Sequence, residues 1–155
     1  MPSHEFIVGE EQVSLVDVSW NEKRVVINGL EATPQASIDD ELINYFNDSL
    51  EWIKSRGPSE SFSGYGLDRY GYTIIRDKES LVTFKNIISS WKDLFDNAPK
   101  DLIITGNYGW EAGTDVGHYE KISFNRIELI GSLNKLIEVI ENALKTNQCV
   151  IHLGI

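Results

Sequence analysis

Five apolar side chains, Leu81, Phe84, Ile88, Trp91 and Phe95, recur at spacings of three and four residues. This stripe constrains the fold more than any other feature of the chain. It predicts a helix with one apolar face, which is stable in water only when another element covers that face. Ile87 and Leu94 widen the stripe, and Asn97 and Pro99 end it. Tyr70 to Arg76 alternates like a strand before the helix, and Leu102 to Thr105 is a short apolar strand after it. Strands alternating with helices predict an α+β fold, a mixed β-sheet with about three helices packed on it. The 155 residues fit one globular domain, 1–155, large enough to bury a core without a disulfide or metal staple.

The remaining elements read as follows. Residues 5–9, 12–20 and 24–29 are β-branched and partly alternating, with Asn21-Glu22-Lys23 as a hairpin turn. Ser37 reads as the N-cap of a first helix, with Asp40 in its acidic first turn. Ile38, Leu42, Tyr45, Phe46, Trp52 and Ile53 form its apolar face, and Gly57-Pro58 stops it. Residues 57–69 are loop by composition, as is the glycine-bearing stretch from Gly106 to Gly117; Tyr119 to Asn125 is a strand. Either Asn125 or Ser132 caps the last helix, whose buried face is Leu133, Leu136, Ile137, Ile140 and Leu144. Cys149 to Ile155 is almost wholly apolar, the pattern of a strand covered on both faces.

Charge narrows the function classes. The net charge is −10, which argues against a nucleic-acid or anionic-membrane binder, since both need clustered cations. Residues 1–60 hold twelve acids against four bases, so most of the excess lies in the first two-fifths of the chain. On the first helix Asp40, Glu41, Asp48 and Glu51 are expected to point to solvent. Such a surface either simply solvates the protein or steers a basic protein partner. A single cysteine, Cys149, and the lack of a signal-like or membrane-spanning segment fit a cytoplasmic, reducing setting.

Catalytic motifs are absent: there is no G-x-S-x-G, H-E-x-x-H, P-loop or C-x-x-C, and no cofactor is implied. Gly64-Tyr65-Gly66 precedes a strand instead of opening a helix, so it lacks phosphate-binding geometry. Of the three histidines, His4 is expected in a mobile terminus and His152 as a hydrogen-bonded interior residue. His118 closes the Gly106–Gly117 stretch. If that loop folds back, Glu111, Asp115 and His118 offer two carboxylates and an imidazole to a metal or ligand, although their spacing matches no known ligand pattern. A small enzyme or metal- or ligand-binding domain built on this loop is therefore the alternative reading.

The block GYTIIRDKESLVTFKNIISSWKDLFDNAPKDLIITGNY, from Gly71 to Tyr108, and the ending VIHLGI resemble small bacterial immunity proteins. These are encoded beside the toxins of contact-dependent growth inhibition and related polymorphic toxin systems. The resemblance implies a cytosolic, non-catalytic protein that binds a cognate toxin and blocks it. An acidic inhibitor suits a basic nuclease-type toxin. On this reading the contact residues are Asp39, Asp40, Glu41, Asp48 and Glu51, joined by Tyr65, Tyr108, Trp110, Glu111 and Asp115 from the two loops. Aromatic anchors with an acidic rim make a sound interface.

Overall fold

A computed structural model describes residues 2–57 and 63–155. Its strands are β1 (Ser3–Gly9), β2 (Val18–Asn21), β3 (Arg24–Ile27), β4 (Leu30–Glu31), β5 (Gln35–Asp39), β6 (Lys54–Arg56), β7 (Ser63–Tyr65), β8 (Tyr72–Ile75), β9 (Asp101–Trp110), β10 (Gly117–Asn125) and β11 (Cys149–Leu153). Its helices are α1 (Asp40–Tyr45), α2 (Asn47–Leu50), α3 (Lys78–Asp96) and α4 (Arg126–Thr146). The α+β class holds: among the described residues four helices pack on antiparallel sheets, with the first expected helix divided into α1 and α2. Among the described residues no helix is long and apolar enough to cross a membrane.

Three layers result. The central sheet has the order β5-β1-β11-β8-β6-β7, with every pairing antiparallel. One face of it carries Phe6, Ala36, Ile38, Ile75 and Val150, which join the stripe of α3 and the buried residues of α4 in the main core. The opposite face carries Ile7, Tyr72, Ile74, Cys149, Ile151 and Leu153, covered by Val18, Val25 and Ile27 of the small β2-β3-β4 sheet. Strand β11 is therefore buried at all five positions, as its apolar run predicts. The third sheet is the two-stranded ribbon β9–β10. It is anchored at its root by Leu102, Ile104, Ile122 and Phe124, which pack on the main core.

Several expectations need correction. Residues 12–17 are not strand: Ser14 Oγ accepts from Val16 N–H and starts a single 3-10 turn at Leu15–Asp17. The hairpin turn expected at Asn21-Glu22-Lys23 forms over Glu22-Lys23 alone, because Asn21 pairs with Arg24 as the last residue of β2, and Glu22 takes a φ of 55°. Ser37 is not a helix cap, because pairing with Glu5 of β1 holds it in strand β5. Asp39 is the cap instead, its Oδ1 accepting from Glu41 N–H at 2.9 Å. Phe46 interrupts the expected long helix at φ −111°, ψ 14°, and its ring stacks on Trp91 at 4.5 Å and meets Phe95 edge-on. Tyr45, the last residue of α1, is half exposed, and Trp52, beyond the break, stands in solvent, so neither continues the apolar face. The expected loop over 57–69 contains β7, and its residues 58–62 lie outside the described residues. Asn125, not Ser132, caps α4, accepting from the N–H groups of Ile127 and Glu128.

Candidate functional site: an aromatic ribbon and its acidic flank

The segment Gly106–Gly117 is not a loop. Strand β9 runs on to Trp110 and β10 starts at Gly117, leaving a short exposed tip at residues 111–116. A bulge in β9 sets the character of this ribbon. Tyr119 pairs with Tyr108 but Lys121 pairs with Thr105, so one extra residue lies in β9 between the two pairs. An inserted residue reverses which face the following side chains take. Leu102 and Ile104 point into the core, and unbroken alternation would send Tyr108 and Trp110 the same way.

The bulge turns both outward, to the side of Tyr119 and Lys121. The packing agrees: a Cβ at Gly106 would meet Ile122 and Glu120 on one face, whereas a Cβ at Gly117 would run into the Tyr108 ring on the other. Tyr108 meets Trp110 edge-on at 5.1 Å and Tyr119 at 4.9 Å. Trp110 is 67% exposed, and Ile103 extends the outward face toward the root. Glu111 and Asp115 stand exposed at the tip.

The flank of the ribbon is acidic. Burial and the charges of Glu120, Asp40 and Asp39 push the Glu41 carboxyl above its ordinary range, so Glu120 of β10 and the start of α1 form one crowded negative field. A groove of about 250 Å³ runs between these elements, lined by Asp39, Leu42, Phe124 and Glu128 among others. Sequence reasoning missed Tyr119 and Glu120, because the bulge that aims one and the tertiary packing that places the other leave no local signal.

The ten residues expected at a partner surface do not form one patch. Asp39 and Glu41 belong to the β5 edge of the central sheet and lie beside the ribbon that carries Tyr108, Trp110, Glu111 and Asp115. Glu51 and Tyr65 belong to the opposite edge, where the Glu51 carboxylate lies over Gly66 just after β7. Asp48 is exposed on α2.

Asp40 is not a surface acid at all. It is buried, and its Oδ1 accepts from His4 Nε2–H and from Arg69 Nη2–H, each at 2.9 Å. Burial pushes its carboxyl up, but the hydrogen bonds and charges of His4 and Arg69 outweigh that and leave it below its ordinary range.

His4 likewise is not in a mobile terminus: it is fully buried on β1. Strands β1, β11 and β8 place His4, His152 and Thr73 on the helix-facing side of the sheet. One set of proton positions, assigned from the partners, satisfies the row. Thr73 Oγ1–H donates to His152 Nδ1 at 3.4 Å, and His152 Nε2–H to His4 Nδ1 at 2.7 Å. The imidazole rings stack with centroids 5.0 Å apart. His152 is thus the hydrogen-bonded interior residue expected, and burial together with its neighbour His4 pushes its pKa down to about 3. Neither ring reaches solvent, so no substrate can approach them. The row is a structural clasp between the two ends of the chain and α1.

The clasp makes stability depend on pH with a definite sign. An unfolded histidine takes a proton near pH 6.5, whereas folded His152 resists it down to about 3. Its contribution is complete above about pH 6.5 and is lost as pH falls through that window, with a slope of up to ~1.4 kcal/mol per pH unit. Urea unfolding at a series of pH values is expected to show a shallower decline for His152→Gln than for the parent, by about one proton between pH 6 and 4. Equal slopes would remove His152 from the account.

His118 is exposed on β10, and Glu111 and Asp115 are exposed on the tip. Among the described residues no group of three His, Cys, Asp or Glu side chains is placed to hold a metal ion. Cys149 is buried, and burial, with the charge of Glu11 next, pushes its thiol pKa up, which disfavours the reactive thiolate. Comparison with known protein families, curated proteins and solved structures returned no match.

Proposed function

We propose that this chain is a non-catalytic binding protein of the immunity type, which neutralises a basic protein toxin by occupying its surface. One observation carries the reading: an aromatic cluster, Tyr108, Trp110 and Tyr119, is turned outward on a projecting ribbon whose flank is a crowded acidic field. Exposed Tyr and Trp anchors are the side chains that dominate protein interfaces. Burial first, and then the charges of Glu120, Asp40 and Asp39, raise the Glu41 carboxyl while Arg69 acts against them, and a further cation beside it would offset the repulsive part. The resemblance of Gly71–Tyr108 to immunity proteins of contact-dependent growth inhibition systems supports the same class of partner, a basic nuclease-type toxin met in the cytoplasm.

The test is kinetic. With a partner captured by the tagged chain at low salt and then purified, Glu41→Lys combined with Glu120→Lys is expected to slow association by about tenfold or more. The dependence of the rate on ionic strength should flatten as well. Dissociation should change less. A rate unchanged by the double reversal would exclude the acidic flank as the steering surface.

A further inference from the structure

A second acidic feature lies on the other face of the central sheet. There the β2–β3 hairpin overhangs the paired ends of β1 and β5, and a cleft of about 670 Å³ opens between them. Its floor is a cross-strand block, Ser3 opposite Asp39 and Glu5 opposite Ser37, and Trp20 and Glu22 line it from the hairpin.

Glu5 is the unusual member. It occupies the row that holds Ile7 in the core, and it is only 9% exposed. Its Oε1 accepts from Ser3 Oγ–H at 2.8 Å and from Ser37 Oγ–H at 2.7 Å. Among the described residues Oε2 has no hydrogen-bond partner, and no cation lies within ion-pair distance of this carboxylate. That second oxygen is not sealed off: among the described residues the buried side-chain polar atom left without a partner is Arg69 Nε, so Glu5 Oε2 opens to solvent at the cleft while the two serines orient the carboxylate without neutralising it. Lys23 also lines the cleft from the two-residue turn, but it is exposed and makes no ion pair among the described residues.

We infer that this cleft receives a guanidinium or ammonium head, the end of an Arg or Lys side chain carried by the basic partner. The inference rests on the proposed function and assigns that partner a second point of attachment. Carboxylates of Glu5, Asp39 and Glu22 supply charge-assisted acceptors, and the face of Trp20 supplies a cation–π wall. The cleft is open enough to admit a side-chain head, and among the described residues no set of three acids converges to hold a bare metal ion.

The experiment titrates the full isotope-labelled chain with Nα-acetyl-arginine amide at low salt and follows the four tryptophan indole N–H signals. Trp20 is expected to shift and saturate while Trp52, Trp91 and Trp110 stay still. The citrulline analogue, neutral and of the same shape, should leave Trp20 unmoved. Glu5→Gln keeps an oxygen for the two serine hydroxyls and is expected to weaken the response about tenfold or more. Trp20→Ala, a change at a half-exposed wall, serves as a second variant read through the amide signals of Glu5 and Ser37. A Trp20 shift that citrulline reproduces, or that Glu5→Gln leaves intact, would overturn the inference. So would no shift at all. Because the probe is a free amino-acid derivative, failure here leaves binding through the aromatic ribbon standing. Failure of the ribbon reading would conversely leave this titration unchanged.

Discussion

Asp40→Ala is expected to destabilise the fold by about 3–5 kcal/mol, the cost of removing one partner from a buried charged cluster. It would leave His4 Nε2–H and Arg69 Nη2–H without their shared acceptor, in a site closed to water on the His4 side. Arg69 has little to fall back on: its Nε is already buried without a partner among the described residues. Asp40→Asn keeps an acceptor for His4 and loses the charge, so an intermediate loss of about 1–3 kcal/mol follows. Asp48→Ala and Glu51→Ala, at exposed positions eight and eleven residues further on, should fall within about 0.5 kcal/mol of the parent. Urea unfolding at pH 7 separates these outcomes. If Asp40→Ala costs no more than Asp48→Ala, the clasp is not holding the structure. A loss of partner binding on replacing Asp40 would accordingly report unfolding of the clasp before it reported a lost contact.

Trp110→Ala and Tyr108→Ala are each expected to weaken partner binding by about 2 kcal/mol or more, roughly a 30-fold rise in Kd. Their effect on stability should stay within about 0.5 kcal/mol, because the rings touch chiefly one another and Tyr119 beyond the anchored root of the ribbon. Truncating Ile104 on the same strand should behave in the opposite sense, because that side chain belongs to the core. Calorimetric titration of the purified pair, with unfolding curves for each variant, measures both quantities. Binding within twofold of the parent for Trp110→Ala would remove the ribbon from the interface.

These two predictions separate residues that look alike in the sequence. Asp40, Glu41 and Asp48 read as one acidic helix face, because helical spacing is the only local information available. In the fold Asp40 is the first residue of α1 beneath Arg69, Glu41 faces Glu120, and Asp48 lies past the break at Phe46. The break itself comes from aromatic packing of Phe46 on Trp91, 45 residues away in the chain. No periodicity within residues 38–53 encodes it.

The strong periodicities were legible without coordinates. The five-residue stripe of α3, the face of α4 and the apolar run of β11 form as their spacing requires. In each case burial of a repeating apolar row dominates the local energetics. Leu94, expected to widen the α3 stripe, is instead exposed, and the turn expected at Asn21-Glu22-Lys23 begins one residue later. The interior placement of His152 followed from its apolar neighbours in the same way.

Tertiary structure alone decided the rest. His4 is buried because its partners, Asp40 and His152, come from 36 and 148 residues away, a pairing that no local window contains. Tyr108 and Trp110 face outward because one extra residue in β9 reverses the alternation, and a bulge is defined only against the opposing strand. Glu5 lies open to a cleft because the β2–β3 layer covers Ile7 and overhangs the next position of the same row. Local sequence determines which face of an element avoids water; which charges are then enclosed, paired or left facing a partner depends on the elements that pack against it.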